Sequence, residues 1–168
     1  KDAKEVERII RENNLNLQIA NDNSPLQVVI SGKKDEIINS KDIFLLNNIK
    51  KYVELNVSAA FHSSYMINAQ NILSAEIDKL NFKNNKINII SNYNADISNK
   101  ISEIKFSLQN QMSNKVRWTE SIKKLENTGE TNIIEIGPNK VLSGLIKRIS
   151  NSFDIRSINT IADIDAYE

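Results

Sequence analysis

One histidine occurs among the 168 residues, His62, in the stretch Val57-Ser58-Ala59-Ala60-Phe61-His62-Ser63-Ser64-Tyr65-Met66, where an extended segment turns into a helix. Imidazole is the only side chain whose ordinary pKa lies near neutrality, so a histidine at such a junction is a candidate general base. The competing reading is a packed or surface residue, and only its surroundings separate the two. The chain has no cysteine, which removes disulfides, thiolate zinc ligands and cysteine nucleophiles.

The elements around His62 follow from periodicity and turn chemistry. Asp2 to Asn13 reads as a helix with Val6, Ile9 and Ile10 on one face. The chain thus opens inside a helix, without an initiator methionine, and reads as a fragment. Leu15 to Ala20 and Gln27 to Ser31 read as strands separated by a turn over Asn21-Asp22-Asn23-Ser24-Pro25. A helix is expected over Lys34 to Asn47 and a short strand over Lys51 to Leu55. This order is that of a ferredoxin-like unit lacking its first strand.

Beyond it the pattern alternates. Helices are expected over Ser64 to Leu80, through Ile101, Ile104, Leu108 and Met112, over Trp118 to Asn127 and over Asn139 to Ser150. Strands are expected over Lys86 to Ser91, Asn132 to Ile136 and Phe153 to Ile158. Such alternation predicts an α/β fold, a parallel sheet with helices on both faces. Residues 1–57 are expected to form the partial ferredoxin-like subdomain and 58–168 part of a larger α/β subdomain, packed as one body. The closing Ala162-Asp163-Ile164-Asp165-Ala166-Tyr167-Glu168 reads as a natural terminus.

Charge narrows the partners. Twenty-two basic and 21 acidic residues leave a net charge of +1, and no basic stripe interleaved with aromatics supports nucleic-acid binding. No apolar run approaches the roughly 20 residues that span a bilayer, and no signal peptide is expected. A soluble, cytoplasmic protein is the expectation.

Four segments, around Asn21-Asp22-Asn23-Ser24-Pro25, Phe61-His62-Ser63, Gln111 with Val116-Arg117-Trp118, and Glu135-Ile136-Gly137-Pro138, resemble those of the malonyl-CoA:acyl-carrier-protein transacylases and the related acyltransferase domains of polyketide synthases. Ala20-Asn21-Asp22-Asn23-Ser24-Pro25-Leu26-Gln27-Val28-Val29-Ile30-Ser31-Gly32 is similar to the family's Asn-x-Asn-Ser-Pro-Gly-Gln-Val-Val-Ile-x-Gly. Phe61-His62-Ser63 followed by Met66 resembles its catalytic-histidine segment. Glu135-Ile136-Gly137-Pro138-Asn139-Lys140-Val141-Leu142 resembles Glu-x-Gly-Pro-Gly-x-Val-Leu, and Gln111 before Val116-Arg117-Trp118 resembles its Gln before Val-x-Trp.

The resemblance implies an α/β-hydrolase-like sheet and a Ser-His dyad that moves malonyl from coenzyme A to the phosphopantetheine thiol of acyl carrier protein, with no metal or further cofactor. His62 then matches the base, and the backbone carbonyl of Gln111 the group that orients its other ring nitrogen. Phe61 resembles the residue that separates malonyl from methylmalonyl users, by filling the space of an α-methyl group, and core filler is the equal alternative. Asn21, Asn23 and Gln27 match cleft-lining positions whose amides meet the thioester or order the pocket, with an Asx-type turn as the alternative.

Three departures stand out. Asp22 replaces a common aromatic, Leu26 a glycine, and Asn139 a glycine that asparagine mimics by tolerating left-handed backbone. The glycines Gly32, Gly129, Gly137 and Gly144 build no Gly-x-Ser-x-Gly elbow. The nucleophile, the oxyanion segment and the malonyl-binding arginine are therefore expected in an amino-terminal segment outside this chain, and Arg117 is expected to be a surface or phosphate-facing cation. A chain with the base and no nucleophile is expected to be inactive alone. Two other readings remain: a non-catalytic module that binds acidic acyl carrier protein through Lys140, Lys147 and Arg148, and a polyketide synthase domain.

Overall fold

The computed structural model describes residues 1–84 and 86–166; Tyr167 and Glu168, in the closing segment, lie outside the described residues. It is a mixed α/β protein. The order is α1 (Ala3–Glu12), β1 (Gln18–Ser24), β2 (Gln27–Ser31), α2 (Lys34–Leu46), a 3-10 turn (Ser64–Met66), α3 (Ile67–Asp78), β3 (Ile89–Ile90), β4 (Ile97–Ser98), α4 (Ile101–Asn110), α5 (Trp118–Glu126), β5 (Asn132–Ile136), α6 (Val141–Ile149), β6 (Asp154–Ile158) and α7 (Ile161–Asp165).

Asp2 starts α1 by accepting the Glu5 amide on its carboxylate, 2.9 Å away. The helix buries Ala3, Val6 and Ile9 against Leu17, Ile19 and Phe44. Phe44 is 2% exposed, and its ring lies 5.6 Å from that of Tyr52, whose hydroxyl donates to Ile37 O at 2.7 Å. These residues form the core beneath the β1–β2 hairpin.

That hairpin departs from the sequence reading. Asn21 to Ser24 continue β1 rather than forming a turn, and only Pro25-Leu26 lie between the paired Ser24 and Gln27. A second ladder explains the extension. Asp22 N–H donates to Val116 O at 2.9 Å and Val116 N–H to Ala20 O at 2.8 Å, so β1 has backbone partners on both edges and its asparagines need not close a turn. Register shifts fall between Ile19 and Asn21 and between Asp22 and Ser24.

Lys51 to Leu55 is irregular, not a strand. A β-rich run becomes a strand only where a neighbour supplies a ladder, and this segment is laddered to neither strand of the hairpin. The expected strand Lys86 to Ser91 shrinks to Ile89–Ile90, antiparallel to Ile97–Ser98. β5 and β6 run parallel, joined by α6. Of the expected parallel sheet, the described strands include this one parallel pair. The described strands form three two-stranded sheets, and Ile134 and Ile136 of β5 are exposed.

Candidate active site

His62 sits in the link between Lys51 and α3 with φ +58°, a left-handed conformation that costs a β-carbon-bearing residue of order 1–3 kcal/mol and persists only when the surroundings fix it. They do so through several bonds. Its own N–H donates to Met112 O at 3.0 Å. Ser63, fully buried, donates its hydroxyl to Ala60 O at 2.6 Å and accepts Met66 N–H on its carbonyl at 3.0 Å. Gln18 of β1 pairs with Ser64 in both directions, donating its amide to the hydroxyl at 2.6 Å and accepting the Ser64 N–H at 3.0 Å.

The ring is oriented from one side. His62 Nδ1 lies 3.0 Å from Gln111 O. A carbonyl can only accept, so Nδ1 carries the proton and the lone pair of the neutral ring is on Nε2. Gln111 caps the carboxy-terminal end of α4, where the last carbonyls have no partner within the helix and carry its partial negative charge. The Gln111 side chain is not involved, since its amide donates to Asn114 O at 3.2 Å.

His62 borders an open cavity of about 1150 Å³, which Phe61, Asn21, Gln27, Leu26 and Arg148 also line. Phe61 is half exposed on its wall. Gln27 accepts Arg148 Nη1 at 2.8 Å, which brings the basic end of α6 to the cavity. Asn23 is absent from this lining, contrary to expectation. It is the extra residue in the bulge between the Asp22 and Ser24 pairs, which turns it away from its neighbours' alternation.

The departures also have local causes. Asp22 is buried, and its carboxylate and carbonyl accept the Thr119 hydroxyl at 2.7 and 3.1 Å; burial outweighs that bond and holds its pKa above the usual value. Leu26 has no positive φ and follows Pro25 in the two-residue turn, its N–H donating to Ser24 Oγ at 3.3 Å, so glycine is not required there. Asn139 does adopt a left-handed backbone, φ +73°. Arg117 is no free cation. It donates to Tyr93 O at 3.0 Å and to Glu120 at 2.9 Å, tying the loop before α5 to the loop after β3.

Glu135 holds α6 in place. Its buried carboxylate accepts the Leu142 and Ser143 amides at 2.9 and 2.8 Å and the Ser143 hydroxyl. Burial pushes its pKa up, but these bonds prevail and leave it below the usual carboxylate value. Ser63 and Gln18 were not singled out in the sequence, because small hydroxyl and amide side chains show no pattern until their partners are known. Among the described residues no group of three or more His, Cys, Asp or Glu side chains is placed to hold a metal, and no helix is long and apolar enough to cross a membrane.

Residues 1–164 match the acyl transferase domain family. The chain belongs to that family. Relatives include a malonyl CoA-acyl carrier protein transacylase from Bacillus subtilis, 38% identical over 95% of this chain and 48% of its own. A polyketide biosynthesis protein from the same species is 41% identical over 88% of this chain and 19% of its own. Among solved structures, an acyl carrier protein S-malonyltransferase from Vibrio cholerae superposes with a TM-score of 0.92 at 29% identity, over all of this chain and 56% of its own. A malonyl-transacylase in complex with its type II polyketide acyl-carrier protein superposes with a TM-score of 0.91, also at 29% identity, over 99% of this chain and 54% of its own. This member of the acyl transferase domain family spans about half the length of the curated transacylase it matches.

Proposed function

We propose that this chain supplies the base of a malonyl-CoA:acyl-carrier-protein transacylase in fatty-acid synthesis. The observation that carries the reading is the single histidine held by Nδ1 against a backbone carbonyl, with Nε2 as the basic atom of a ring that borders a large cavity. A serine outside these 168 residues is the nucleophile. Its hydroxyl proton passes to Nε2 as Oγ attacks the malonyl thioester, and the same proton passes to the departing coenzyme A thiolate. In the second half the phosphopantetheine thiol gives its proton to Nε2, attacks the seryl ester, and the proton returns to the serine.

In this reading residues 1–57 belong to the smaller, ferredoxin-like subdomain and 58–168 to the larger one. The exposed apolar strand β5 is an inner strand of an α/β-hydrolase-like sheet that the rest of the protein completes. No metal or further cofactor takes part, and a cytoplasmic location suits these substrates. Phe61, Asn21 and Gln27, which line the cavity, are proposed to contact or order the bound thioester. The relative from polyketide biosynthesis favours a second reading, the same transfer to the carrier protein of a polyketide system.

The test is to incubate the full-length polypeptide with radiolabelled malonyl-CoA and holo acyl carrier protein. Label is expected on the carrier, with a covalent malonyl-protein intermediate trapped on acid quenching. Transfer without such an intermediate, or none with the carrier of either pathway, overturns the assignment.

A further inference from the structure

The carbonyls of Gln111 and Met112 that grip His62 leave the end of α4 just where its helical hydrogen bonds stop, so α4 alone does not fix their direction. The next residue is fixed from outside. Ser113 donates both its N–H, at 2.9 Å, and its hydroxyl, at 2.8 Å, to one oxygen, the side-chain carbonyl of Gln70 on α3. Three successive residues are thus bound to the segment that bears the histidine: Gln111 O to Nδ1, Met112 O to the His62 N–H, and Ser113 to Gln70.

Gln70 opens a polar seam. Ser74 and Asp78 follow it at helical spacing on the same face of α3. Ser74 donates its hydroxyl to Gln109 O and accepts the Gln109 amide on its carbonyl, both at 3.2 Å. Asp78 accepts Gln109 at 3.0 Å and Lys105 at 2.8 Å. The seam locks the last turns of α4 against α3, and Gln70 is the member nearest the carbonyls that matter.

We propose that Gln70 is a positioning residue for His62: by holding Ser113 it aims the Gln111 carbonyl at Nδ1 and so fixes the tautomer that leaves Nε2 basic. Its catalytic consequence rests on the transacylase reading, whereas its structural consequence does not. The experiment is nitrogen NMR of the full-length polypeptide labelled in histidine, with the His62 ring identified by the loss of its signals in His62→Asn.

Gln70→Leu, which keeps the bulk and removes the acceptor, is expected to lower the ratio of Nδ1–H to Nε2–H tautomer by roughly three- to tenfold, the range that one hydrogen bond of ordinary net strength supports. Gln70→Glu, whose carboxylate accepts both Ser113 donors, is expected to restore the ratio to within about twofold. An unchanged ratio in folded Gln70→Leu, or no rescue by glutamate, overturns the proposal. Should the leucine variant not fold, Ser113→Ala removes one of the two donors and is expected to lower the ratio less, with an unchanged ratio again refuting it. Activity is not read here, so failure of His62 as the base registers in acylation rates and leaves this ratio untouched.

Discussion

Replacing Glu135 by glutamine tests how α6 is held beside the cavity. The carboxylate is 9% exposed and serves the second and third residues of the helix, one oxygen accepting the Leu142 amide and the other the Ser143 amide and hydroxyl. Glutamine keeps one acceptor and turns the other into an NH₂ group facing an N–H donor, so one backbone amide loses its partner. That loss costs about 1–3 kcal/mol, and removing a negative charge from a helix amino terminus adds about 0.3–1 kcal/mol. A total of about 1.3–4 kcal/mol corresponds to hydrogen exchange at the Leu142 and Ser143 amides roughly 10- to 900-fold faster at pH 7, measured by NMR on the full-length polypeptide. The pH dependence carries a sign. The Glu135 pKa is lowered in the folded protein, so its contribution is present above the unfolded value near 4.5 and fades as pH falls through the folded one. Wild type and variant should therefore converge at acidic pH. Exchange rates equal at pH 7, or a difference that persists unchanged however far the pH is lowered, would refute the role given to this carboxylate.

Three further predictions concern the cavity and its supports. Phe61→Ser should relax discrimination against methylmalonyl-CoA, by roughly ten- to two-hundredfold in kcat/KM ratio if the ring fills one methyl's volume; unchanged selectivity reduces Phe61 to packing. Asp22→Asn should raise the thermal midpoint at pH 7, because burial raises the Asp22 pKa, so stability is present below the unfolded value near 3.8 and lost as pH rises through the folded one; a lower midpoint, with the Thr119 bond available to either side chain, would contradict this. Gly32→Ala should destabilise by about 1–3 kcal/mol in urea titration, since an added β-carbon would stand 2.5 Å from Leu17 Cδ2 and 3.3 Å from Asn16 O; a neutral effect would mean that both neighbours yield freely.

Elements governed by their own periodicity were legible in the sequence. β2 at Gln27–Ser31 and β5 at Asn132–Ile136 lie where alternation and turn residues place them, and α1, α2 and α5 differ from expectation only at their ends. What failed depends on distant partners. Asn21 to Ser24 has turn composition yet lies in a strand because Val116 supplies a ladder from far along the chain. Lys51 to Leu55 has strand composition yet lacks a neighbour to pair with. The orientation of His62 had no signature of its own, because its partner is a backbone carbonyl and every residue has one; only the resemblance pointed to Gln111. The acceptor on Gln70 and the pairing of Gln18 with Ser64 were invisible for the same reason, being amide groups whose meaning comes from their partners.

The most direct measurement is the single-turnover rate of malonyl-serine formation in the full-length polypeptide, wild type against His62→Ala, at neutral pH. With His62 as the proton acceptor, the substitution should slow acylation by roughly 10²- to 10⁴-fold while the fold, checked by the exchange pattern of α3 and α4, is retained. A His62→Ala protein that acylates its serine at the wild-type rate would contradict the account, and the base would have to be sought outside this chain.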